Sequence, residues 1–289
     1  MSKIHKPMRY SFAGHETFSC KNYWLKKGYD HSIQNKKFND EAVIDLGVGK
    51  NMVNSISFWM KAFGIYEDGV LLRDLIFNDD KGYDPYLEDL GTIWLLHHML
   101  VTTNKASIYN LAFNYFRKLR IDFNVLQLVK FLEDECEKEN QSFSSNSIKK
   151  DCSVFINNYT KNLRAKSLED QFNGMLYELN LVEYIGKKSG QDTYRIESQK
   201  RGDLPAQILL ASHLLFNGTG SISFNDLLNG KDNIGSVYCL NSDGLSSLIK
   251  DLEDLYPKSI RYSDTAGVQT LQIKEDIDFQ TVLKDYYAS

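Results

Sequence analysis

Apolar residues recur at three- and four-residue spacing along most of the chain and alternate with polar ones only in short runs. That pattern predicts a mainly α protein with small β elements, and four prolines in 289 residues leave the helical stretches uninterrupted. Met8, Tyr10 and Phe12 alternate with polar neighbours, which predicts a short strand ended by Gly14. A helix is expected from Thr17 to Lys27, with Gly28 as its stop and Lys26 and Lys27 in the last turn, where the helix dipole favours cations.

From Glu41 to Ile65 the spacing is that of a helix-turn-helix. Val43 and Leu46 begin an apolar face, Gly47 permits a sharp turn, and Val48, Val53, Ile56, Met60 and Phe63 continue the stripe. Val43 stands where a small residue is usual. Facing away from the stripe are Lys50, Asn51, Asn54 and Ser55, side chains that hydrogen-bond bases or phosphates from the start of a recognition helix. An ordinary helical hairpin with a polar outer face has the same pattern.

Two further units follow. Residues 142–159 read as a capped helix with Ile148, Cys152, Phe155 and Tyr159 inside and Asn146, Lys149 and Lys150 outside. A second helix over 168–182 and a hairpin with Lys187 and Lys188 beside its Ser-Gly turn complete the order of a winged helix. Near the C-terminus, Ser223 starts a short helix, Leu245, Leu248, Ile249, Leu252 and Leu255 mark a longer one, and residues 260–273 form two strands around Asp-Thr-Ala-Gly. This last copy is acidic around Asp251, Glu253 and Asp254, which suits a structural or protein-binding role better than DNA reading. The expected division is 1–125, 126–205 and 206–289, the first holding the basic motif and helix-turn-helix and the others winged-helix-like.

Net charge is −4, yet residues 1–39 carry eight Lys or Arg against two acids, a patch suited to a phosphate backbone or to a solvated arm. Cys20, Cys136, Cys152 and Cys239 lack C-x-x-C spacing, so neither a zinc knuckle nor a disulfide framework is indicated. The longest apolar run, Ile93–Val101, is broken by His97 and His98 and is too short to span a bilayer. No secretory or targeting signal is evident, and the expectation is a soluble cytoplasmic protein without a membrane partner.

Two constellations are candidates for chemistry. Gly14, His15, Glu16 and Thr17 stand at an expected strand-to-helix junction with Lys21 one turn on. Such a junction suits a capped helix packed by Phe12, Phe18 and Trp24, a phosphate site, or a His-Glu pair in acid/base work. The carboxylate of Glu16 argues against the phosphate, and no i, i+4 partner completes a zinc motif. In residues 83–98, a helix starting at Pro85 would cluster Asp84, Glu88 and Asp89 around its first turn. Those acids are either dipole-stabilising or oxygen ligands for Mg²⁺ or Mn²⁺ in phosphodiester hydrolysis. No P-loop, G-x-G-x-x-G, G-x-S-x-G or kinase signature is present, so no nucleotide cofactor is expected.

Four blocks carry a resemblance: F-A-G-H-E-T-F-x-x-K-x-x-W-L-K-K-G from Phe12, D-P-Y-L-E-D-x-G-T-x-W-L-L-H from Asp84, S-I-K-K-D-C-x-V-F-x-x-x-Y from Ser147, and D-T-A-G from Asp264. Together they resemble a bacterial domain-of-unknown-function family whose members occur in DNA phosphorothioation operons. Lys21 replaces an expected arginine, losing bidentate grip, and Asn180 replaces an expected glycine while still tolerating a left-handed turn. The resemblance implies a DNA-nicking role that admits sulfur in an anti-phage modification system, with DNA, a sulfur-transfer enzyme and an ATPase as partners. Residue chemistry then nominates Asp84, Glu88, Asp89, His15 and Glu16 for catalysis, and Lys21, Lys26, Lys27, Lys50, Asn51, Asn54, Lys149, Lys150, Lys187 and Lys188 for DNA. The rival reading is a noncatalytic DNA-binding regulator or scaffold.

Overall fold

The expected core element of the apolar run is α5 (Leu90–Thr103), which is buried without a break from Gly91 to Val101. A helix apolar on all sides belongs in the middle of a helical protein, and α5 is in contact with elements on every side. Asp89 caps its start by accepting from the N–H groups of Gly91 and Thr92 at 2.7 and 3.2 Å. Asn104, left-handed at φ 53°, ends it. The computed structural model describes residues 9–34, 36–67, 71–161 and 174–288.

Before α5 come α1 (Trp24–Ser32), α2 (Ala42–Leu46), α3 (Lys50–Ala62) and α4 (Leu71–Phe77). Gly47, at φ 62° and ψ 37°, makes the turn between α2 and α3 as the spacing requires. Leu46, Val53, Ile56, Met60 and Phe63 are buried on its inner side. Helix α1 lies against α3, and Gly28 is mid-helix because a Cβ there would run into Met60 and Ile56.

After α5, α6 (Ser107–Leu111) continues through a π-helical turn (Ala112–Phe116) into α7 (Arg117–Leu119). Strand β1 (Asp122–Asn124) leads into α8 (Val125–Lys138), started by a capping box in which Asn124 and Gln127 each accept from the other's backbone N–H. Helix α9 (Ser145–Tyr159) follows, capped by Ser144, and then the hairpin β2 (Glu183–Lys188) and β3 (Gln191–Arg195). The sheet is antiparallel in the order β1-β3-β2, pairing Phe123 and Tyr184 with Tyr194.

The last third repeats that order. Helix α10 (Ala206–Asn217) precedes β4 (Gly220–Ser223), α11 (Phe224–Asn229), α12 (Ile234–Val237), α13 (Ser242–Leu255) and the hairpin β5 (Ile260–Thr265) and β6 (Val268–Ile273). Its antiparallel sheet runs β4-β6-β5, so the second hairpin strand is again central. Finally α14 (Phe279–Ala288) returns to the start of α5, where Tyr286 donates to Asp89 at 2.8 Å and Tyr287 pairs with Thr92 at 2.7 Å.

The mainly α class with small β elements is as expected, but several local expectations fail. Residues 9–14 form no strand, and Met8 lies outside the described residues. The helix expected over Thr17–Lys27 begins only at Trp24, because Glu16 and Thr17 take left-handed backbone that no helix admits. Lys26 and Lys27 therefore sit in its first turn. The helix after Asp84 starts at Leu90 rather than Pro85. Of the helix expected over 168–182, residues 168–173 lie outside the described ones, and the remainder is a turn with a 3₁₀ helix at Tyr177–Leu179. Asn180 does take the left-handed turn, at φ 49°. Ser55 is buried, not on the outer face of α3. Among the described residues no helix is long and apolar enough to cross a membrane.

The histidines at 97 and 98 are core. His97 bridges the Tyr159 hydroxyl and the Val237 carbonyl, both at 2.9 Å, and His98 packs on Phe216 and Tyr238. Burial lowers His97 and His98 from 6.5 to about 3, and His213 to about 4. The unfolded chain takes up these protons below about pH 6.5 and the folded one does not, so stability is complete above that pH and falls as pH drops towards 3 to 4. Urea unfolding at pH 7.5 and pH 5 should differ by roughly 2 kcal/mol per buried imidazole. Equal stability at the two pH values would contradict the neutral buried state.

Candidate nucleic-acid interface

Between α3 and α9 lies the segment 10–20, whose backbone is held by side chains far away in sequence. The N–H groups of Tyr10, Ala13 and Cys20 donate to Gln141, Asp151 and Asn158 at 2.8, 2.8 and 2.9 Å. On the α3 side, Ser55 donates to the His15 carbonyl at 3.0 Å and the Trp59 indole to the Phe18 carbonyl at 3.2 Å. His15 is buried between the two helices, stacked on Trp59, with Nε2 3.3 Å from Asp151 Oδ1. Thr17 N–H donates to His15 Nδ1 at 3.1 Å, so the ring proton belongs on Nε2, facing Asp151. Ala13, Gly14, Glu16 and Thr17 all have positive φ, a conformation that persists only where the surroundings enforce it. A Cβ at Gly14 would lie 2.7 Å from the Phe58 ring, so glycine is required there for space as well as φ.

This packing leaves α9 one exposed strip. Ser145, Asn146, Lys149, Lys150 and Ser153 are exposed and Ser147 and Asn157 are half-buried, while the rest of the helix is buried. The strip contains two lysines, polar hydrogen-bonding side chains and no acid. Lys187 and Lys188 are exposed on the adjacent hairpin, where Lys188 reaches Asp122 at 2.8 Å and shares it with Arg195. Those two cations hold the Asp122 carboxyl well below the usual carboxylate range. On α3, Asn51 and Asn54 are exposed, and Lys50 is exposed but paired with Asp40 at 2.9 Å.

The basic residues of α1 are placed differently. Lys26 is buried and held between Asp30 and Asp79 at 2.5 and 2.7 Å, which keeps its ammonium from any solvent-borne phosphate. Lys27 is exposed and donates to the Leu46 carbonyl at 3.1 Å, closing the end of α2. Lys21 is half-buried.

The acids at 84–89 do not converge on one point. Asp84 is buried, and its two oxygens accept from the N–H groups of Glu88 and Asp89 at 2.8 and 3.0 Å. Asp89 is committed to the α5 N-terminus and to Tyr286, and Glu88 is exposed. His15 and Glu16 likewise separate, one buried and the other exposed. Among the described residues no three His, Cys, Asp or Glu side chains come together as a cation site. Asp84 and Asp89 thus spend their carboxylate oxygens on backbone N–H groups, while Glu88 and Glu16 stand exposed.

Sequence reasoning passed over Asp151 and Asn158, the anchors of the site. A signal existed for Asp151: it falls three residues after Ile148 and one before Cys152, on the apolar face of α9, where a carboxylate needs a buried partner.

The arrangement defines a helical protein with two strand-helix-hairpin units and a polar, basic helix face. A family model described as "Protein of unknown function (DUF4007)" matches residues 12–287, and the chain belongs to that family. It is also similar to a solved SspB structure, with a TM-score of 0.84 and 26% identity over 97% of this chain and 88% of that one. A magnesium-bound SspB structure aligns with a TM-score of 0.83 and 26% identity over 100% of this chain and 91% of that one. No curated protein matches the sequence.

The carboxylates differ in what they hold, and substitution should separate them. Asp151→Ala removes the acceptor of the Ala13 N–H and the carboxylate facing the buried His15 and should cost roughly 3 kcal/mol. Asp89→Ala removes a helix cap for about 1 kcal/mol, and Glu88→Ala should fall within about 0.5 kcal/mol of the parent. Denaturant unfolding of the three variants measures the order, and an Asp151 variant as stable as the parent would remove it as an anchor.

Proposed function

We propose that this chain is the DNA-binding component of a DNA phosphorothioation system, acting in the cytoplasm to nick the duplex so that sulfur can enter. The whole-chain likeness to SspB is the observation that carries this reading. The phosphorothioation setting follows from the sequence blocks that resemble the family found in those operons.

Both strand-helix-hairpin units have the element order of a winged helix, counting the helix before β1 or β4 as the first, and we read them so. In the middle unit α9 is the recognition helix, offering Asn146, Lys149, Lys150 and Ser153 to the duplex, with Lys187 and Lys188 on the wing. Asn51 and Asn54 of α3 add a second polar edge. Lys26 is left out of the interface by its ion pairs. The C-terminal unit presents Asp251 and Asp254 instead, and the partners suited to it are proteins such as the sulfur-transfer enzyme and ATPase of the same system. The proposed division remains three units, with the middle one taking in β1.

The geometry also favours one alternative in which the chain binds DNA without cutting it, because Asp84 and Asp89 are committed to backbone. Incubation of supercoiled plasmid with Mg²⁺ or Mn²⁺ separates the two. Open circles support nicking, and Glu16→Ala then tests the exposed carboxylate between α3 and α9, while metal-independent binding with intact plasmid supports the scaffold.

Duplex binding itself is tested by fluorescence anisotropy. A Lys149→Ala, Lys150→Ala double variant should weaken binding to all sequences and reduce the slope of log affinity against log salt by about 2. Lys26→Ala should leave that slope unchanged. An unaltered slope in the double variant would remove α9 from the interface.

A further inference from the structure

A pocket of about 400 Å³ opens where the end of α7, β1 and the start of α8 meet the turn of the β2–β3 hairpin. We propose that it receives the terminal phosphate of a broken DNA strand, so that the chain holds the end exposed at a nick as well as the duplex around it. This rests on the DNA-binding reading above and names the part of the DNA that the pocket takes.

The charge of the pocket suits a phosphate monoester. Among the described residues that line it, Arg120 and Lys188 are cations and Asp122 is the one acid. Asp122 is already neutralised: Arg195 donates to Oδ1 through Nε at 2.7 Å and to Oδ2 through Nη2 at 3.1 Å, and Lys188 donates to Oδ2 at 2.8 Å. Glu183 and Glu197 act on Arg195 from outside the pocket and stand in solvent, which screens them. Arg195 offsets Asp122, and Lys188 and Arg120 remain as an excess of two positive charges. Arg120 is exposed and makes no ion pair among the described residues, which leaves its planar fork of donors for a phosphate. A phosphate monoester brings about −1.5 to −2 charges at neutral pH, and a diester within a strand about −1.

The hydrogen-bonding groups are matched in the same way. The capping box of α8 engages the side-chain oxygens of both Asn124 and Gln127, which accept from each other's backbone N–H at 3.0 and 2.9 Å. Each amide is left with its NH₂ group, which only donates, and both residues line the pocket. Lys188 has used one of its three N–H groups on Asp122, and Ser189 adds a hydroxyl from the hairpin turn. The ligand that fits such a lining is rich in acceptors and lacks donors. A phosphate meets that requirement, whereas most base edges present donors as well.

Position and size favour an end over a continuous strand. Lys187 lines the α9 side of the hairpin and Lys188 lines this pocket, because successive strand residues point to opposite faces. A strand held between α9 and Lys187 therefore has the pocket one residue away across the hairpin. Small-ligand sites run from about 300 to 1,000 Å³, so this one admits a terminal nucleotide, while a diester would have to leave it in two directions.

Anisotropy in EDTA with four fluorescein-labelled duplexes of the same sequence tests the proposal: one intact, and three with a central nick ending in a 5′-phosphate, a 3′-phosphate or hydroxyls only. The full chain should bind one of the phosphate-ended nicks about tenfold more tightly than the hydroxyl-ended nick, and which one it is gives the polarity of the end. Arg120→Ala should bring that preference to within about twofold and Arg120→Glu should abolish it, both leaving intact-duplex affinity in place. Equal affinity for all three nicks, or a preference that survives in both Arg120 variants, would overturn the pocket while leaving duplex binding intact. Failure to bind any of the four DNAs would overturn the function proposed above together with the pocket.

Discussion

The Asp151 carboxylate, buried on the inner face of α9, is the contact on which the proposed interface depends. It accepts the Ala13 N–H at 2.8 Å and faces His15 at 3.3 Å, so one side chain fixes both the backbone and the ring of the segment beside it. Left-handed residues on both sides of His15 prevent helical pairing along that segment, so the N–H groups of Tyr10, Ala13 and Cys20 go to side chains elsewhere. Side-chain acceptors must supply what a helix would have. Asp151 and Asn158, two turns apart on α9, are spaced to do so. His15 passes the registration on to α3 through Ser55 and Trp59. The outward strip of α9 is therefore positioned by what its inward face grips.

Behind this lies α5, and its role explains why segments from along the whole chain hold together. A helix buried on every side needs partners on every side, and they come from segments before and after it in sequence. His97 shows the cost and the gain of such a position. Its imidazole is desolvated, yet both nitrogens are satisfied, one by Tyr159 of α9 and the other by Val237 of α12. A single residue of α5 thereby links the middle unit to the C-terminal one. The return of α14 to the Asp89 cap does the same at the other end of the helix.

What the sequence made legible follows its periodicity. The apolar stripes of α3, α9 and α13 were readable because each buries one face of a regular helix, and the spacing of Gly47 and the positions of both hairpins followed from turn chemistry. The segment from Phe12 to Trp24 was not readable in this way. Its conformation is imposed by Gln141, Asp151, Asn158, Ser55 and Phe58, none of which is nearby in sequence, so local propensity had no hold on it. The same reason misplaced the acids at 84–89. Their spacing suited either a cation or backbone N–H groups, and only the fold shows that Asp84 turns back onto residues 88 and 89. The family resemblance read from the four blocks agrees with the family match, because it depended on strings of residues and not on their conformation.

A net charge of −4 looks unfavourable for the phosphate partner proposed above, and the placement of several acids bears on that difficulty. Asp84, Asp89, Asp151 and Glu253 all spend carboxylate oxygens on backbone N–H groups, at helix starts, in the core or, for Glu253, on Tyr262 of β5. Asp30 and Asp79 are spent on Lys26. None of these lies on the outward strip of α9, whose charged side chains are both lysines. At physiological salt, charges are screened over about 8 Å, so an approaching phosphate responds to the strip it meets and not to the sum over the chain. In the proposed function the two units with the same order of helices and strands serve opposite partners. In the middle unit the helix before the hairpin displays lysines, and in the C-terminal unit the corresponding helix displays Asp251 and Asp254. The topology supplies a helix beside a hairpin in each case, and the charge on that helix determines what it attracts.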